Sequence, residues 1–92
     1  MTEKINNNKV KVTQITLKPK EDTGFHHHTM DYVIIPITSG KLKLIDENNK
    51  ETFTKLMQGE PYYREKGVKH NVINIDNKTI TFIEVEIKSI ST

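Results

Sequence analysis

Residues 24–31, Gly-Phe-His-His-His-Thr-Met-Asp, hold three of the four histidines in a chain of 92 residues. Adjacent imidazoles admit three readings: exposed loop side chains, a fragment resembling a tag, or part of a metal site. On a strand, residues i and i+2 share a face about 6.6 Å apart. His26 and His28 then point together and His27 points away. Two nitrogens alone make a weak site. The fourth histidine, His70, sits in the run VKHNVIN, where Val68, His70 and Val72 share one parity. A distant histidine joining a local His-x-His is the arrangement a three-histidine site inside a barrel requires. Spacing alone leaves the loop reading open.

Outward from this stretch, the chain alternates with period two. KVKVTQITLK (9–18) shifts parity between Val12 and Ile15, which predicts a bulge or an edge. YVIIPITSGKLKLID (32–46) predicts two strands around Ser39-Gly40, with Leu42 and Leu44 inward and Lys41 and Lys43 outward. Pro36 removes a ladder donor and marks an edge, bulge or bend. DENNK (46–50) and Asp76–Lys78 predict turns. ETFTKLM (51–57) and TITFIEVEIK (79–88) predict further strands. In the last of these Ile80, Phe82 (or Ile83), Val85 and Ile87 are set against Thr81, Glu84 and Glu86. No apolar residues recur at helical spacing over three turns. About seven to nine short strands with turns every 8–12 residues describe an antiparallel sandwich or small barrel.

Ninety-two residues amount to one domain, 1–92, with a modest core. There is no cysteine, so disulfides, thiolate ligands and a cysteine nucleophile are excluded. Any transition metal must be held by nitrogen and oxygen. The 14 basic and 12 acidic residues give a net charge of +2, and the lysines are dispersed, so no nucleic-acid partner is expected. No apolar run reaches the roughly 18 residues of a membrane span. The N-terminal segment lacks an apolar signal core, so a cytoplasmic protein without a membrane partner is expected.

These segments resemble the cupin superfamily, whose first motif is G-x5-H-x-H-x3-4-E-x6-G and whose second is G-x5-P-x-G-x2-H-x3-N. The second motif matches Gly59, Gly67, His70 and Asn74, with Glu65 at the proline position. The first matches His26, His28 and Gly40, while its leading glycine, Gly24, falls only two residues before His26. The motif's glutamate falls on Val33 counting back from Gly40, or on Tyr32 counting forward from His28. Neither supplies a carboxylate, and Asp31 is the nearby substitute. The motif regions are about 24–40 and 59–74. The resemblance implies an all-β double-stranded β-helix, the jelly-roll cupin barrel. It implies a divalent transition metal (Fe, Zn, Ni, Mn or Cu) on His26, His28 and His70, with Asp31 as a fourth ligand or the remaining positions open.

Tyr62, Tyr63 and Asn74 are candidates for a ligand pocket, alternation sending one tyrosine inward. Phe25, Ile35 and Phe82 read as core. Gly40 and Gly67 read as positions needing positive φ. Glu84 and Glu86 share a parity that faces either the cavity or solvent. The resemblance implies a small metal-binding cupin holding a small polar organic ligand inside the barrel. The alternatives are a metal-dependent enzyme of dioxygenase or isomerase/lyase type, and a metal-free structural dimer. A small barrel exposes apolar strand edges, and pairing of the N-terminal strand with a second copy covers one, so a homodimer is expected.

Overall fold

The computed structural model describes residues 1–88. Nine strands occur among them: β1 (Thr2–Asn6), β2 (Val10–Leu17), β3 (His26–His27), β4 (Asp31–Pro36), β5 (Gly40–Asp46), β6 (Glu51–Leu56), β7 (Tyr62–Arg64), β8 (Lys69–Asn74) and β9 (Ile80–Ile87). They form a five-stranded sheet in the order β1-β2-β9-β4-β7 and a four-stranded sheet in the order β3-β8-β5-β6. Every pairing is antiparallel. The sheets face one another as a jelly roll.

Ile15, Leu17, Ile34, Leu42, Leu56, Val72, Ile80 and Phe82 are buried between the sheets, with Tyr32 at the edge of the same cluster. The turn Asp46–Lys50 forms as the sequence predicts. The Asp46 carboxylate accepts from the Asn48 and Lys50 amides at 2.8 and 2.9 Å, and Asn49 takes φ 62°. β7 reaches only as far as Ile34 along β4, so Pro36 occupies the unpaired end of that edge.

The parity shift in β2 is not a bulge. β2 pairs with β9 in unbroken register from Val10↔Ile87 to Leu17↔Ile80. The irregularity lies instead in β1, between Glu3 and Ile5. Lys11 and Thr13 share the inner face with Ile15 and Leu17, and Glu84 and Glu86 share it with Ile80 and Phe82. One end of the barrel is therefore apolar inside and the other polar. On the outer face the pattern inverts: Ile5, Val12, Val85, Val33 and Tyr63 line up across all five strands. The expected grouping of Val85 and Ile87 with the core of the last strand is thus corrected.

Three other expectations are corrected. Phe25 is 58% exposed, because it shares the outward parity of His27. Ile35 also lies on the outer face. Gly40 does not adopt positive φ, unlike Gly67 at 104°. Its requirement is space: a Cβ there would lie 2.5 and 2.6 Å from the Ile80 side chain. Ile80 is fully buried and has no room to retreat. Gly40→Ala is therefore expected to lower stability by about 1–3 kcal/mol, the cost of overpacking. Urea unfolding measures this, and a midpoint equal to wild type would refute the close approach.

Candidate metal centre

The site begins with a backbone pairing. His26 lies directly opposite His70 in the antiparallel ladder between β3 and β8. The ladder continues past β3: the His28 amide donates to the Val68 carbonyl and the Gly67 amide to the His28 carbonyl, each at 2.8 Å. Gly67, at φ 104°, makes the turn that lets this happen. Alternation then sets His26, His28 and His70 on the inner face, and His27, opposite Lys69, is exposed.

The three Nε2 atoms converge. His26 Nε2 lies 2.9 Å from His28 Nε2, which lies 3.2 Å from His70 Nε2. Two nitrogens about 2.1 Å from one ion at near right angles stand about 3 Å apart. The outer ring nitrogens set the protonation. His26 Nδ1 is 2.9 Å from the Gly24 carbonyl, an obligate acceptor, so its proton sits there and its Nε2 lone pair faces inward. His28 Nδ1 is 3.5 Å from the Glu84 carboxylate, which favours the proton on that side as well. With two lone pairs turned inward beside the His70 Nε2, the donor set fits a divalent metal. Burial and the neighbouring His26 and His70 push His28 down to about 4. Burial and His26 do the same to His70, also to about 4. Both are neutral, and so ready to ligate, at pH 7.

Asp31 does not join the three nitrogens. It begins β4 on the outward parity of Val33, and its carboxylate accepts from the Lys66 amide at 2.8 Å. That bond and the adjacent Tyr63 phenol hold it below the usual carboxylate range. Tyr32 takes the inward position four residues after His28 and stacks on the His28 ring, with centroids 4.0 Å apart and planes at 19°. Burial, reinforced by Glu84, pushes the Tyr32 phenol up to about 12. The buried carboxylate nearest in kind to the missing one is Glu84, supplied by the neighbouring strand, where it pairs with Ile34. It meets the outer nitrogen of His28, opposite the converging face.

Of the pocket candidates, only Tyr62 faces in, with the Arg64 guanidinium 4.5 Å over its ring. Tyr63 is half-exposed on the outer face. Asn74 is fully buried and structural: its Nδ2 donates to the Leu17 and Lys78 carbonyls and its Oδ1 accepts from the Asp76 amide. The chamber around the histidines is small, about 30 Å³, enough for an ion and little else. It adjoins a mouth of about 330 Å³ lined by Thr13, Ile15, Thr23, His26, Glu84 and Glu86 among others. An organic molecule fits the mouth and not the chamber. The sequence signal for the mouth is a polar residue on the parity of a buried strand end, as Thr13 precedes Ile15 and Glu84 follows Phe82.

The model of the cupin domain family (Cupin_2) matches residues 13–86. The β-alanine degradation protein BauB of Pseudomonas aeruginosa is 39% identical over 87 residues, 95% of this chain and 90% of that one. A cupin domain from Bordetella pertussis Tohama I, solved as a crystal structure, is 42% identical with a TM-score of 0.91, covering 96% of this chain and 91% of that one. An RmlC-like cupin with a double-stranded β-helix fold from Methanocaldococcus jannaschii shares the fold at 23% identity and a TM-score of 0.79, covering 95% and 77%.

The buried groups carry a pH signature. The lowered His28 and His70 values contribute stability that is present above pH 6.5 and lost as pH falls toward about 4. Glu84, raised to about 7 chiefly by burial and then by Glu86, works the opposite way: its contribution is full below 4.5 and lost as pH rises through about 7. Between pH 6 and 5 the unfolded chain binds two extra protons and the folded chain one. In chelating buffer, stability should fall by about 1.4 kcal/mol per pH unit on acidification. Glu84→Gln should make the fall about twice as steep. Urea titrations at pH 7.5, 6 and 5 check this; equal slopes would show that Glu84 is not protonated in the folded chain.

Proposed function

Because this chain belongs to the cupin domain family, we propose that it is a small metal-binding cupin. His26, His28 and His70 hold a divalent transition metal, and the mouth beside them receives a small polar organic ligand. The observation that carries this reading is the convergence of three Nε2 atoms whose opposite ring nitrogens, in His26 and His28, face a carbonyl and a carboxylate. Imidazole donors suit Fe, Zn, Ni, Mn and Cu alike. Bound there, such an ion would polarise a ligand carbonyl or carboxylate. The chain's own part is to orient the imidazoles, through the Gly24 carbonyl and Glu84, and to stack Tyr32 against His28. The narrow chamber excludes all but an ion and the tip of a ligand. Tyr62 lines that chamber and can donate a proton or hydrogen bond to such a tip.

The relative from Pseudomonas aeruginosa is named for the degradation of β-alanine. That name supports a small amino acid, or a molecule made from one, as the ligand class, and favours turnover as the second reading. Metal analysis of the protein as purified should find about one ion per chain. His70→Ala should reduce this at least tenfold. Metal absent from wild type would leave a metal-free structural protein, and metal unchanged in the variant would refute these three histidines as its site. If iron is present, oxygen uptake over a panel of small acids, thiols and diols separates a dioxygenase-type enzyme from a binding protein.

We also propose a homodimer. Its support is the apolar row Ile5–Val12–Val85–Val33–Tyr63 on the outside of the five-stranded sheet, flanked by Ile83 and Ile35. Antiparallel sheets ordinarily turn polar residues to solvent. A second copy seated on this face covers it, beside the free edge of β1. Light scattering at micromolar concentration should report a dimer, and Val85→Glu should shift it to monomer. A wild-type monomer would exclude the assembly.

A further inference from the structure

The mouth of the barrel has a chemical bias that the metal reading does not use. Its lining carries three carboxylates, Glu3, Glu84 and Glu86, against the single side-chain cation Lys11. Lys11 lies directly opposite Glu86 in the β2–β9 register. Glu84 and Glu86 stand on alternate positions of β9 and so project side by side from the inner face. One oxygen of each, together with a nitrogen of His28, lies within 4.8 Å of the others. Glu84 is only 8% exposed. Its polar contact is the 3.5 Å approach to the neutral His28 Nδ1. A carboxylate largely withdrawn from water, its side chain 11% exposed, gains from a ligand that brings donors.

We propose that Glu84 and Glu86 form an amine-binding subsite, which holds the ammonium group of a small ligand whose other end reaches His26. This rests on the reading that the ligand occupies the mouth. An ammonium carries three donors in tetrahedral array, and two acceptors each about 2.8 Å from it stand about 4.6 Å apart. That spacing falls within the 4.8 Å that bounds the carboxylate pair. A second metal ion fits less well. It would take His28 through Nδ1, and with Nε2 serving the first ion the imidazole would have to give up both its protons. The ligand class is therefore a short-chain amine bearing a carboxylate or carbonyl a few bonds away.

The test is a chemical-shift titration of the zinc-loaded protein with β-alanine, n-propylamine and propionate, repeated for n-propylamine after chelation. β-Alanine should bind at least tenfold more tightly than propionate. n-Propylamine should bind in both forms, because the carboxylate pair does not need the metal. Glu86→Gln should weaken both amines at least tenfold while leaving propionate affinity and zinc content unchanged. Propionate binding as tightly as β-alanine, or amine affinity untouched by Glu86→Gln, overturns the proposal. A second zinc per chain that disappears in Glu86→Gln overturns it in favour of a metal. Failure of the metal reading shows separately, as zinc that does not load although n-propylamine still binds.

Discussion

The pairing of β3 with β8 is the constraint on which the site depends. β3 contributes only two residues, yet its ladder places His26 opposite His70 across more than 40 residues of chain. Its extension through the His28 carbonyl and the Gly67 amide brings the third imidazole to the same face. β8 is held on its other side by β5, and its C-terminal end is anchored by Asn74, whose side chain closes two carbonyls and an amide. The short strand therefore inherits its rigidity from a long one. Imidazole nitrogens near 3 Å apart need that rigidity to stay converged.

The second organising feature is the division of one interior into two environments. Toward Gly40 and Leu56 the inner face is aliphatic and closed. Toward Lys11, Glu84 and Glu86 it is charged and open. The same strands pass through both, so their alternation never breaks although their hydrophobicity reverses. Burial, with like-charged neighbours adding to it, explains the raised Glu84 and the lowered His28 and His70 together: each is pushed toward its neutral form. The neutral imidazoles suit a cation, and the carboxylates beside them give the mouth its bias toward amines.

Much of the site was legible because strand geometry is simple. His26 and His28 share a face by period two, and His27 is excluded by it. His70 was found through its parity with Val68 and Val72 and through the spacing of Gly59, Gly67 and Asn74. The buried carboxylate beside the histidines was not legible. Asp31 is nearest in sequence, but its parity turns it outward, to the Lys66 amide. Glu84 lies more than 50 residues away and arrives through the β4–β9 register, which no local pattern encodes. Tyr32 was counted as a position without a carboxylate, and its stacking on His28 needs the third dimension to be seen. Lys11 and Thr13 misled for a related reason: hydrophobic parity marks the inner face only where the interior is apolar.

By itself, then, the sequence determined the strand content, the turns, the absence of sulfur ligands, and which histidines share a face. Those properties follow from local backbone geometry and composition. Tertiary structure decided which carboxylate stands beside the histidines, that Gly40 is required by the Ile80 side chain rather than by its own φ, that Asn74 braces a turn, and that the mouth is far roomier than the chamber at the histidines. Each of these depends on the distance between strands remote in the chain, and that distance is set by register and packing rather than by any run of residues.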